Sequence, residues 1–416
     1  MKTINKISFR IIIQRLIISI GLILFIRFGS FLPIPGINHL DLALFIQTNS
    51  FAKNLIRSFS TDNTFVIGLF TLGILPYINA SIFAQLFIAF SPSLSKLQKE
   101  GDLNARRSLN RLTRFICLVW AIIDSLAIVI FLRQAIFNWN FKFALETTVW
   151  LTTGAMIVLW LSELITDHGL GNGPSLLVYT NISASFPNLC QKILTENNST
   201  GITSLSLILL ITISVFGTIL LQEGIRKIPL LSAFELNLNS SRRFSYNKVE
   251  LYLPFKLNQA GIMPIILTTA ILVIPNYVIN LGILPIKILP NFGILSILLY
   301  WSTFFMLIII ISLLYSNIIL NPKDISDQLL KSAIVIPNIE TGPETTYYLK
   351  NVMSRITILG ALILALLATL PNLLETIFNI ENLNGLSTTS LLIMTGVLID
   401  LSKEIDDIIY SNIYKK

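Results

Sequence analysis

Charge is scarce in this chain. Of 416 residues only 12% are Asp, Glu, Lys or Arg, while 53% are hydrophobic. Soluble domains carry about 25% charge, so an ordinary soluble domain is excluded. Cysteine and histidine are scarcer still. Cys117 and Cys190 stand apart near the ends of apolar runs and read as buried, unpaired thiols. His39 and His168 fall in different loops, on opposite sides of a membrane in the topology derived below, which removes a shared metal or catalytic site. The pattern GxxxxGK[ST] is absent, so no Walker-type ATP site is expected. Gly169-Leu-Gly-Asn-Gly173 has no strand before it and reads as a tight turn rather than a phosphate loop. The expectation is a protein that is not an enzyme and carries no metal or cofactor.

Long apolar runs are what the chain has. A membrane span needs about 20 apolar residues. Ten candidates occur, at 11–32, 66–90, 113–137, 146–165, 173–190, 202–222, 260–281, 293–316, 354–371 and 387–410. The fifth is diluted by Asn172, Pro174, Ser175, Asn181 and Ser183. The first is too long for a cleavable signal and runs into Phe31-Leu-Pro-Ile-Pro-Gly36 rather than a small-residue cleavage site.

Basic residues orient the spans. Counting Arg114 and Arg355 with the loops they border, 23 of the 30 Lys and Arg lie at the two termini and in loops 2/3, 6/7 and 8/9. An even number of spans puts all of these on one side, and the positive-inside rule makes that side cytoplasmic or its equivalent. Loops 6/7 (about 222–257) and 8/9 (about 317–353) are longer than a connection requires. Positive charge alone would serve topology. Length added to charge points to a docking platform for a large anionic partner, through Arg226, Lys227, Arg242 and Arg243. Five spans per half would give an inverted repeat, 1–200 and 201–416, with a path between the halves.

Two spans carry unusual residues. The second, 66–90, has Pro76 near its middle, then Asn79, Ser81 and Gln85, and reads as a broken, partly polar helix lining a path. Ile74 and Ile78 are four residues apart and share a face. The third holds Asp124 near its centre, where a charge costs about 2.5–3.5 kcal/mol on insertion scales. A proton relay would need partners that the other spans do not supply. A hydrogen-bonded or protonated group at a helix contact is the better reading.

Five spaced segments stand out: Arg27 to Gly36, Leu72-Gly-Ile-Leu-Pro-Tyr-Ile-Asn-Ala-Ser-Ile82, Trp160 to Ser175, Leu253-Pro-Phe-Lys-Leu-Asn-Gln-Ala-Gly-Ile-Met-Pro264, and Asn321-Pro-Lys-Asp. In this order they resemble the SecY family, the protein-conducting channel of the general secretory pathway. The resemblance runs from about Arg10 to Asp407. It implies an all-α polytopic membrane protein, with ten transmembrane helices in two inverted five-helix halves around a central pore.

Carried over by motif, the pore ring would be Ile74, Ile78, Pro174, Val178, Ile266 and Ile393, with Pro174 departing from the usual aliphatic residue. Branched apolar side chains close around a passing chain and gate by dewetting. A plug would occupy about 42–63. A lateral gate between spans two/three and seven/eight would carry Gln85, Asp124 and Asn258 as polar positions and release apolar segments to lipid. Partners implied are a SecE-like small subunit, a SecG-like subunit, a SecA-type ATPase or ribosome, and unfolded clients. Glu340 stands where the family has an arginine that serves the motor partner. The alternative is an inverted-repeat solute transporter, which requires a compact polar midplane site. Abundant Ile, Asn and Lys, the compact loops and the short tail resemble plastid forms in the thylakoid membrane, with a bacterial inner membrane as the other placement.

Overall fold

Backbone in lipid must satisfy its own polar groups, and apolar runs do so as helices. The structure is a computed structural model. It describes residues 2–35, 68–91, 94, 103–132, 140–195, 201–232, 251–259, 261, 264–265, 267–268, 271, 293–319, 321–378 and 388–414. Six helices come first: α1 (Lys2–Ser30), α2 (Leu75–Phe90), α3 (Leu103–Leu132), α4 (Phe141–His168), α5 (Gly173–Thr195) and α6 (Gly201–Glu223). Three short strands follow, β1 (Ile225–Pro229), β2 (Leu231–Ser232) and β3 (Tyr252–Lys256). Then come α7 (Gly293–Ile319), α8 (Pro322–Lys331), β4 (Ile334–Val335), α9 (Pro343–Phe378) and α10 (Thr388–Tyr414).

Among the described residues, helices occupy nine of the ten expected spans; most of the seventh, 260–281, lies outside them. Over those residues four helices are long and apolar enough to cross a membrane: Arg10–Ser30, Arg107–Ile130, Phe141–His168 and Pro343–Thr369. Tyr300–Ser316 is a shorter apolar stretch.

One expectation needs correction. Span two is not one helix broken in its middle. Residues 69–74 form turns, with Gly73 at φ 53°, and the helix begins only at Leu75. Pro76 therefore sits in the first helical turn, where a missing N–H costs nothing. The fold is that of an all-α polytopic protein, and loops 6/7 and 8/9 add four short strands among the described residues.

The chain divides into two contact units. One comprises Met1–Asn197, Asn384–Leu386 and Val397–Lys416. In it α2 packs on α3, α3 on α4, and both α1 and α5 on α4. Ala80, Cys117 and Leu159 form a buried seam flanked by Tyr77, Ile116, Trp120 and Met156. The Phe83 and Trp120 rings lie 5.0 Å apart. The other unit comprises Asn198–Leu383 and Ser387–Gly396. In it α6 and α7 pack on α9 around Leu221, Ile308, Leu364, Ala365 and Ala368. Small residues allow this approach: a Cβ on Gly217 would meet the Leu367 side chain.

Candidate functional site

The start of α2 is held by close backbone contacts. Pro33 bridges to Gly68, and the Leu69 N–H donates to the Leu32 carbonyl at 2.9 Å. A Cβ on Gly154 of α4 would overlap the Leu69 carbonyl, and one on Gly29 would overlap the Phe70 ring. Glycine at both positions therefore lets this segment lie directly on α1 and α4. Ile74 is the N-cap of α2, and its carbonyl accepts from the Ile78 N–H at 3.1 Å. The two isoleucines thus share one turn, and both are buried. Asn181 of α5 lies at the same place. Its Oδ1 accepts from Arg27 Nη1 at 3.5 Å, and its Nδ2 is 4.0 Å from the position of a Cβ on Gly73. Sequence reasoning saw Asn181 only as a polar dilution of the fifth span.

The turn between α4 and α5 is built rather than slack. Gly171 takes φ 85°, a conformation that favours glycine. The Gly173 N–H donates to Thr166 Oγ1 at 2.9 Å, and the Leu170 N–H donates to Ser19 Oγ of α1 at 2.8 Å. The Asn172 carbonyl accepts from the Leu176 N–H at 3.0 Å, which places Pro174 in the first turn of α5. Proline is tolerated there for the same reason as Pro76. Pro174 and Val178 are half-buried, one turn apart.

The remaining candidates are dispersed. Ile393 is half-buried on α10, two residues before Thr395, whose Oγ1 pairs with Thr218 Oγ1 at 2.9 Å. Ile266 lies outside the described residues, as do the plug segment and the Arg242-Arg243 pair. Gln85 is half-buried on α2. Asp124 is half-buried on α3, with Oδ2 shielded and without a hydrogen bond. Asn258 is buried, and its Nδ2 donates to the Gly261 carbonyl at 2.9 Å.

Loops 6/7 and 8/9 fold together outside the spans. Strand β1 pairs antiparallel with β3, Ile225 opposite Lys256 and Ile228 opposite Leu253. Strand β2 pairs with β4, Leu231 opposite Val335 and Ser232 opposite Ile334. Alternation sends Ile228 and Phe255 inward, where they join Leu230, Ile336, Leu349, Val352, Met353 and Ile356 in one core. Arg226 and Lys227 are both exposed, Lys227 on the outer face of the ladder and Arg226, opposite Phe255, at the edge of the inner one. Lys227 Nζ lies 4.7 Å over the Tyr252 ring, which restrains the ammonium by a cation–π contact.

Local chemistry explains the rest of this platform. Asn321 caps α8 by accepting from the Lys323 N–H at 3.2 Å, and Pro322 fills the first turn. The motif Asn321-Pro-Lys-Asp is thus a helix start. Gly342 precedes α9, and its N–H donates to Thr345 Oγ1 at 3.2 Å. Thr345 also pairs with Ser326 Oγ at 2.7 Å, tying α8 to α9. Between them Ile336-Pro337-Asn338-Ile339 makes a turn closed by the Ile339 N–H on the Ile336 carbonyl at 3.3 Å. Asn338 takes φ 64°, as position three of a Pro-Asn turn requires. Glu340 follows, exposed. The sequence signal for the platform was the alternation in Leu251-Tyr-Leu-Pro-Phe-Lys256, which membrane periodicity overshadowed.

Comparison with known proteins agrees with this architecture. The SecY family model matches residues 68–402. The chain is 50% identical over 412 residues to the protein translocase subunit SecY of Trieres chinensis, covering 97% of each chain. It is 40% identical over 408 residues to that of Guillardia theta, covering 97% of this chain and 96% of the relative. A solved structure described for the plug domain of the SecY protein aligns with TM-score 0.66 at 15% identity, over 96% of this chain and 93% of that one. The solute-transporter alternative finds no support in these matches. The chain belongs to the SecY family, the ten-helix, protein-conducting channel subunits of the Sec translocase.

Proposed function

We propose that this chain moves unfolded polypeptides through a path sealed by Ile74, Ile78, Val178, Ile266 and Ile393, with Pro174 a helix-start residue at its rim. The segment at about 42–63 serves as plug. Gln85, Asp124 and Asn258 mark a lateral exit between spans two/three and seven/eight. The driving energy comes from a docked partner, a SecA-type ATPase or a ribosome, or from a membrane potential, since the sequence has no nucleotide motif. SecE-like and SecG-like subunits complete the complex. Relatives from photosynthetic algae and the Ile, Asn and Lys bias support a plastid copy in the thylakoid membrane, with basic loops facing the stroma.

The observation that carries the docking reading is the shared core of loops 6/7 and 8/9. Charge needed only for topology requires no folded platform. Arg226 and Lys227 are exposed neighbours on β1, a local pair of positive charges suited to an anionic surface. The test is binding of the solubilised complex to ribosomes and to a SecA-type ATPase, using Arg226→Glu/Lys227→Glu beside Glu340→Arg. The double variant should weaken binding of the physiological partner about ten-fold or more, because close charge pairs are worth upwards of 1.5 kcal/mol. Unchanged binding of both partners by the double variant sinks the docking reading.

A further inference from the structure

Helices α3 and α4 meet at an ion pair. Arg114 Nε donates to Glu163 Oε1 at 2.9 Å, and Arg114 Nη2 donates to Oε2 at 2.8 Å. This two-bond fork fixes direction as well as distance, which a lysine in the same place would not. Its position on the two helices matters. Cys117 follows Arg114 by three residues, and Leu159 precedes Glu163 by four, so each shares a face with its charged neighbour. Cys117 and Leu159 are buried together with Ala80 of α2. The fork therefore closes one end of the seam in which α2, α3 and α4 pack. Phe83 and Trp120 extend the α2–α3 side of the same block.

The surroundings raise the importance of the pair. Arg114 lies within the apolar stretch Arg107–Ile130, and its neighbours Phe115 and Leu118 are exposed apolar side chains that face lipid in a membrane-spanning helix. In water a pair with side chains 52% and 28% exposed would contribute little. At a lipid edge screening is weaker. Helices bathed in lipid also gain little from hiding apolar surface against one another, so packing and polar bonds decide which neighbours stay together.

We propose that Arg114 and Glu163 are positioning residues that hold α3, and with it α2, against α4. The wall formed by α2 and α3 then moves with α4 as one block, and the pair sets how apolar a client segment must be to leave sideways into lipid. This rests on the reading that α2 and α3 border the lateral exit.

The experiment compares wild type, Arg114→Gln, Glu163→Gln and the exchanged pair Arg114→Glu/Glu163→Arg in membranes holding the complete complex. Clients carry a test segment of graded leucine content, and the ratio of integrated to translocated product is read. A soluble client with a cleavable signal is the control. Each single variant should raise the ratio for a threshold segment about five-fold, and the exchanged pair should return it to within about two-fold of wild type, as expected for an interaction of the size of one directional ion pair. The soluble client should keep its rate in all four. Unchanged thresholds in the single variants, an exchanged pair that behaves like them, or an equal loss for every client would overturn the proposal. Failure of the lateral-exit reading is seen separately: a photo-crosslinker at Phe87, an exposed residue of α2, would then not capture the test segment in wild type.

Discussion

Glycine does more at single positions than its low count suggests. At Gly154 a Cβ would overlap the Leu69 carbonyl, whereas at Gly21 it would meet nothing within 4 Å. Gly154→Ala should lower stability by about 1–3 kcal/mol, the usual range for overpacking. Gly21→Ala should leave it unchanged or raise it by about 0.5–1 kcal/mol through helix propensity. Thermal unfolding of the detergent-solubilised protein reads both, and equal melting temperatures would refute the close-approach account. Ser19 belongs to the same scale. Its hydroxyl donates to the Arg15 carbonyl and accepts from the Leu170 N–H. Ser19→Ala leaves that buried N–H without its acceptor and should cost about 1–3 kcal/mol. Ser19 was invisible in the sequence because its partner is 151 residues away. Ile74 and Ile78 were legible because their relation is local, four residues on one turn.

The elements show where sequence periodicity succeeds and where it misleads. Among the described residues nine spans appear as helices, because apolar length is the dominant local signal. The second span was misread because an apolar run does not distinguish helix from turns pinned on glycine, and residues 69–74 are turns. The platform was legible as charge and length but not as fold, since its pairing joins distant strands such as β2 and β4. Leu349 is fully buried in its core. Leu349→Ala should cost about 2–5 kcal/mol locally. Partner binding should fall while the ion conductance of the resting channel stays at the wild-type level. A leak in that variant, with binding intact, would contradict the separation of the platform from the seal. Asn321→Ala removes the cap of α8 and should cost about 1 kcal/mol. The milder variant should weaken docking less than Leu349→Ala.

Orientation and sealing are properties of the whole molecule. The positive-inside rule puts 23 of 30 basic residues on the side of the termini, so Ser332→Cys in the platform should react with a membrane-impermeant maleimide from that side only. Reaction from the opposite side alone would invert the topology. The paired variant Ile74→Asn/Ile78→Asn should raise ion leak and relax the selection of clients by their signal, because a polar constriction no longer dewets. Unaltered conductance would make these two residues ordinary core.

The pairing of β2 with β4 also orders events in time. A ribosome delivers Ser232 well before Ile334, its partner across the ladder. Leu349, Val352 and Met353 emerge later still, and without them Ile228 and Phe255 have no core to enter. The shared core thus cannot exist on an unfinished chain. A half-made chain presents the basic residues of β1 with no folded core beneath them.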